Sequence, residues 1–352
     1  MKVITDYMKK YGNTPFSVEP INNIDYAIFA ALAYIDFNDV IIDGKKILLS
    51  EALTKFIFFA NRKKFYKNGF IQKELYEFVV KFVDNKRYKD VLISDYVYKL
   101  TNNEQFGALT FHLPNHRKVI AFEGTDDNLV SWEEDFAFAN SSLSPADKDA
   151  IKYLNKKIGL FDRKVVVVGH SKGGRLAITS SMNITKYKQN KIQNIYSFDG
   201  PGLLKEELEK EEYQRIRPKI KHFIPNYSVI GMVLNHGVED IVVKGVYVDI
   251  RSHSIFKWGI KENDFERAKL SNISIKWHNS AEEWLKIYSP DERKAIFRQI
   301  FNTFRDLGYT GLTEVLSVKN ILTILLKTRK YDDDTKRILK TLFAFTIKNL
   351  VK

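Results

Sequence analysis

The chain of 352 residues contains no cysteine. That excludes disulfides, thiolate-bound zinc, iron–sulfur clusters and a cysteine nucleophile, and it suits a reducing compartment. No apolar run reaches the 18 or so residues of a spanning helix; the longest, such as Val165–Val168, are strand-sized. The first residues, MKVITDYMKKYGNTPF, hold no apolar stretch of signal-peptide length, so secretion by that route is not expected. There is no internal repeat and no low-complexity linker. A cytoplasmic protein is expected.

Acidic charge is in deficit: 43 Asp and Glu face 56 Lys and Arg, a net charge of +13. Such a surplus serves solubility, or draws the protein to an anionic membrane or to nucleic acid. No helix-turn-helix, zinc finger or other nucleic-acid motif accompanies it, so no nucleic-acid partner is expected. The surplus is marked from Lys319 onward. There the segment 334–350 carries Ile338, Leu339, Leu342, Phe345 and Leu350 near one side, with lysines elsewhere. A core-packing helix with a solvated basic face explains this pattern. Peripheral docking on an anionic membrane surface is the sharper alternative.

Apolar residues at 44% and charged residues at 28% describe an ordinary globule with a sizeable core. Residues 20–37 show helical spacing behind the capping types Asn22, Asn23 and Asp25, and 50–60 and 73–83 also read as helices. From about residue 91 the pattern turns extended: 91–99, 106–112 and 118–122 read as adjacent strands. A helix is expected over 146–158, then the strand KVVVVG, a sharp turn, and a helix from about Gly173. Strands follow at 195–198, from His222, and over 242–250. After residue 280 only helices are expected, over 281–288, 291–306, 312–326 and 334–350. This alternation predicts an α/β architecture: a mostly parallel sheet with flanking helices and a helical C-terminal subdomain. The expected division is an N-terminal helical region at 1–90 packed on the core, a core at 91–280, and the C-terminal subdomain at 281–352.

The chemistry gathers at Gly169-His170-Ser171-Lys172-Gly173, which fits G-x-S-x-G. A nucleophilic serine needs a tight strand-to-helix turn that lifts its hydroxyl above the sheet. Glycines two residues on either side leave room for that turn. The helix that follows aims unpaired N–H groups at a developing oxyanion, and the Lys172 amide is the first of them. A chance match to so short a pattern is common. Here a β-branched run precedes it and a plausible helix follows, as the mechanism requires.

VVVVGHSKGGRLA resembles the elbow of the class 3 (fungal-type) lipases. Upstream, VIAFEGTDDNLVSWEED resembles that family's F-R-G-T segment, and downstream YSFDGPG resembles its strand ending in F-G-x-P. With SHSIFKW added, the set is most similar to uncharacterised bacterial lipase-like relatives, over roughly residues 105–260. The resemblance implies an α/β-hydrolase fold, an ester or lipid substrate, and a second oxyanion donor at Thr125. Glu123 stands where the family has Arg. The segment 126–145, with Trp132, Phe136 and Phe138 among acids, is a candidate lid over the pocket; a polar helix-capping turn explains its start equally well.

A serine nucleophile needs a histidine base. Of seven histidines, His170 is too near Ser171 in sequence. His112 and His116 precede the nucleophile, against the order of serine, acid, histidine. His253, in the segment that resembles the family's histidine segment, is the expected base, with His278 as alternative. The family's acid would fall on IPNYSVIG, which offers Asn226 and Ser228 but no carboxylate. Asp199, at the end of the strand after the elbow, is the leading substitute, although Asp-Gly-Pro-Gly is also simply a good turn. Asp240 and Glu239 are alternatives. The expectation is a serine ester hydrolase using Ser171, His253 and Asp199, with the oxyanion held by Thr125 and Lys172. It needs no cofactor, and no metal motif of the H-E-x-x-H type is present. The rivals are a thioesterase or peptidase on the same fold, and a catalytically silent binding module.

Overall fold

A computed structural model describes residues 1–38, 40–41, 44–59, 72–138, 143–315, 317–331, 333, 335–336 and 339. Its centre is a sheet whose strands lie side by side in chain order: β1 (Ile47–Leu48), β2 (Leu92–Leu100), β3 (Gln105–His112), β4 (Lys118–Phe122), β5 (Val165–His170), β6 (Ile192–Phe198), β7 (Ile220–Pro225) and β8 (Asp240–Val243). Neighbours from β1 to β4 run antiparallel, and from β4 to β8 parallel. This is an α/β architecture built on a mostly parallel sheet, with the Gly169–Gly173 turn at the carboxyl end of the central strand β5.

Among the described residues, the helices of eight residues or more are α1 (Ile4–Tyr11), α2 (Asn23–Leu32), α3 (Leu49–Phe59), α4 (Gln72–Phe82), α5 (Leu129–Ala137), α6 (Pro145–Lys157), α7 (Lys172–Met182), α8 (Asn272–Ile287), α9 (Pro290–Asp306) and α10 (Val318–Lys327). Parallel strands covered on both faces read as continuous apolar runs, and β5 is the case in point. Its period of two sends Val166 and Val168 to one core, and Val165 and Val167 to the other. The first core takes α1 to α4 with Phe111, Phe198 and Phe223; the second takes α6 and α7 with Ile120, Phe122 and Ile195. The N-terminal helices therefore belong to the same hydrophobic core as the sheet.

Asn22 caps α2 as its residue type predicts, accepting from the N–H groups of Ile24 and Asp25. Asp25 is itself buried and pairs with Arg87, whose Nη2 lies 2.6 Å from Oδ2 and Nε 2.8 Å from Oδ1. Both side chains are fully buried. The pair ties the segment just before the sheet to the start of α2.

The chain departs from sequence expectation in two places. β8 ends at Val243 rather than extending to 250. Its partner β7 runs out at Pro225, which has no N–H to donate, and after the Asn226 bond to Val243 the ladder stops. The C-terminal helices start at Asn272, not near 281, behind a Ser271 cap that accepts from Ser274. These helices form a third apolar cluster with α5: Leu129 and Trp132 join Ile300, Phe301 and Phe304. Phe136 of α5 meets Phe297 with ring centroids 4.7 Å apart. The segment proposed as a lid is thus packed beneath the C-terminal helices. The expected helix over 334–350 lies almost wholly outside the described residues.

Candidate active site

The elbow is built by steric necessity. Ser171 has φ 57° and ψ −132°, a conformation that non-glycine residues rarely adopt. It is held there by its N–H donating to Phe198 O at 2.9 Å and its carbonyl accepting from Gly174 at 2.8 Å. A Cβ on Gly169 would strike the backbone of Gly173, and one on Gly173 would strike the carbonyl of Phe122. The two glycines of the motif are therefore demanded by packing as well as by the turn. Ser171 caps α7 without a side-chain hydrogen bond. Its hydroxyl makes no hydrogen bond with the described residues.

Asp199 follows the end of β6 and also has positive φ, 51°. Its backbone N–H donates to Phe223 O at 2.7 Å. Its carboxylate is fully buried and reaches His253, with Oδ2 2.6 Å from Nδ1. The other oxygen accepts from the Ser228 hydroxyl and, at 3.1 Å, from the Gly231 N–H. A side chain on Gly231 would collide with that oxygen. Ser228 thus stands in the segment where the resemblance expects an acid, and its hydroxyl donates to Asp199. Asn226 turns away, accepting from Gly245. Asp240 is engaged by His222, and His278 by the carbonyl of Met232.

His253 ends a short 3-10 turn, Ile250–His253, capped by the Asp249 side chain. The buried indole of Trp258 donates to Ser252 O at 2.8 Å and fixes the turn from below. The ring of His253 lies 4.5 Å from that of His170, the residue before Ser171. His170 Nε2 is 2.8 Å from the carbonyl of His253. A carbonyl only accepts, so Nε2 carries the hydrogen, and Nδ1 is left to accept from the Tyr34 hydroxyl at 2.9 Å. Burial, helped by the neighbouring His253, pushes His170 well below the usual imidazole range and keeps it neutral. Tyr34 in turn faces the backbone of Gly124. One chain of contacts thus links the loop after β4, the elbow and the His253 turn. Tyr34 carries no local signal in the sequence; its role exists only across a separation of 136 residues.

Lys172 opens α7 with its amide at the helix N-terminus, while its side chain is buried. Nζ lies 2.8 Å from Gln105 O and 3.3 Å from Glu134 Oε2. Glu134 also accepts from the N–H groups of Gln105 and Ala146, so it staples α5 to β3 and α6. Thr125 follows Gly124 and donates its hydroxyl to Asp135. Burial raises the Asp135 carboxyl to about 7, against the pull of Lys172 and Thr125. Glu123 is buried against Gly107, and burial lifts its carboxyl well above the usual range. At the position where the resemblance has arginine, this chain therefore holds a buried acid that favours its protonated form, with no ion pair among the described residues.

A family model described as Mbeg1-like matches residues 82–302, which include every residue of this site but Tyr34. No curated protein matches the chain. Among solved structures, one titled "Crystal structure of M37 lipase" is 16% identical over 60% of this chain and 69% of its own, with a TM-score of 0.37.

Proposed function

The chain belongs to the Mbeg1-like family, and from that premise we propose that it is a serine hydrolase of carboxylic esters, lipidic esters among them. The observation that carries the reading is the contact of Asp199 with Nδ1 of His253, whose ring packs on that of His170, the residue before an elbow serine at positive φ. With Nδ1 engaged by the carboxylate, Nε2 is the nitrogen left to act on Ser171.

The steps follow from these groups. His253 Nε2 takes the proton of the Ser171 hydroxyl as Oγ bonds to the ester carbonyl carbon. The carbonyl oxygen gains negative charge and is met by the amides of Lys172 and Thr125, the former strengthened by the α7 dipole. The imidazolium returns the proton to the departing alkoxide, leaving an acyl-serine. Water, deprotonated by the same imidazole, releases the acid and restores the serine. Asp199 holds the imidazole in one tautomer and stabilises its cationic form. The silent-module rival drew its support from the missing carboxylate at 226–228, and the Asp199–His253 contact counts against it.

The experiment is labelling of the native protein by a fluorophosphonate, with hydrolysis of short p-nitrophenyl esters alongside. Labelling and turnover in the wild type, both lost in a folded Ser171→Ala protein, are expected. Turnover retained by Ser171→Ala would refute the reading.

A further inference from the structure

Three ligand-bearing side chains outside the proposed triad converge where β7 and β8 lie side by side. His222 lies on β7, Asp240 opens β8, and His236 is on the loop between them. Their ligand atoms all lie within 4.8 Å of one another. The two imidazoles are nearly parallel, 16° apart, with centroids 3.4 Å apart. That is closer than the 4.5–7 Å usual for ring pairs. Both direct Nε2 at a single acceptor, the carbonyl of Gly200, at 3.2 Å for His222 and 2.9 Å for His236.

This arrangement leaves a hydrogen-bond conflict. His222 Nδ1 is 2.8 Å from Asp240 Oδ1, so both of its nitrogens face oxygens that accept. A neutral imidazole has one N–H and satisfies only one of them. His236 uses Nε2 on Gly200, which leaves its Nδ1 as a lone pair without a hydrogen-bond partner among the described residues. Two lone pairs and a carboxylate then share one small space. The Asp240 side chain is 32% exposed, which gives an ion a way in.

We propose that His222, His236 and Asp240 form a binding site for one divalent transition-metal ion of the zinc type, held by Nδ1 of each histidine and a carboxylate oxygen. The donor set of two imidazoles and one carboxylate suits zinc, with the fourth position left for water. The outer contacts fit as well. Histidines that bind metal commonly donate their other N–H to a backbone carbonyl, which fixes tautomer and ring orientation. Here both do so, to the same carbonyl. Bonds of about 2.0–2.2 Å require the three groups to draw together by a small rotation of the rings. The ion would join β7, β8 and their connecting loop, and through Gly200 it would brace the turn that carries Asp199. The site is independent of the hydrolase reading.

The test is calorimetric titration of the metal-stripped full chain with Zn²⁺, beside His236→Gln and Asp240→Asn proteins. Binding of one ion per wild-type chain with a raised Tm is expected. Each substitution should weaken binding at least about tenfold, the loss that even outer contacts produce. Since a variant can fail by unfolding, Co²⁺ is added to the wild type as a second probe. Visible d–d bands of a four- or five-coordinate site are expected. No Zn²⁺ binding, undiminished binding in folded variants, or a Co²⁺ spectrum of octahedral aqua type would each overturn the proposal.

Discussion

The carboxylate of Asp199 divides its two oxygens between His253, 2.6 Å from Oδ2, and the pair formed by the Ser228 hydroxyl and the Gly231 amide on Oδ1. An acid so held presents one face to the imidazole and cannot rotate away from it. Asp199→Asn should therefore lower kcat on a p-nitrophenyl ester by about 10³- to 10⁴-fold, because the amide favours the wrong imidazole tautomer. KM should change little. A kcat within tenfold of wild type would remove Asp199 from the mechanism.

Ser228→Ala deletes one donor to a buried carboxylate. A hydrogen bond to a charged group contributes about 1.5–3 kcal/mol, so a loss of roughly tenfold or somewhat more in kcat is expected. Ser228→Thr keeps the hydroxyl and should restore much of the rate. If Ala and Thr variants behave alike in steady-state kinetics, the hydroxyl does not position Asp199.

Asp135 offers a pH test. Burial raises its carboxyl in the folded chain from 3.8 to about 7. A raised pKa means that the folded state favours the protonated form. Its contribution to stability is full below about pH 3.8 and is lost as pH rises through about 7. Asp135→Asn mimics the neutral acid at every pH. Its stability relative to wild type should therefore climb between about pH 4 and pH 7 and level off above. Urea unfolding at pH 5 and pH 8.5 measures this, and a difference independent of pH would contradict it.

Arg87→Met leaves the Asp25 carboxylate buried without its cation. Breaking a buried pair from one side typically costs about 3–5 kcal/mol. The Tyr88 hydroxyl, 2.8 Å from the same carboxylate, offsets only part of that. A clear fall in Tm by calorimetry is expected; a change of under 1 °C would show that the pair adds nothing to stability.

The features legible in the sequence are those set by local spacing. The run Val165–Val168 and the glycines around Ser171 define strand, turn and helix because each constraint acts within a few residues. Asn22 announced the start of α2 in the same way. The choice between Asp199 and Asp240 was not decidable locally, since each stands at a strand end, Asp199 after β6 and Asp240 at the start of β8. Only tertiary packing sends Asp240 to His222 and Asp199 to His253. Tyr34 and Glu134 left no trace for the same reason: a tyrosine in a helical turn is ordinary until its distant partner is known. The length of β8 was misread because Val246 and Val248 look strand-like, yet they are exposed beyond the point where β7 offers a partner.

Within the eight-stranded sheet, from β2 onward every strand pairs with the strand before it in the chain. The sheet therefore needs no strand to wait for a later one to be inserted between it and its neighbour. During synthesis each new strand meets an edge already laid down, and the loop to be closed is a single connection. Such order favours growth by addition at one edge, and it keeps the exposed edge of the growing sheet to one strand at a time. The working groups are delivered in the same succession: Thr125, Ser171, Asp199, Ser228 and last His253. On the proposed reading, a nascent chain halted before the His253 turn would hold a formed elbow with no base to activate it, so reactivity would arrive only when the sheet is complete.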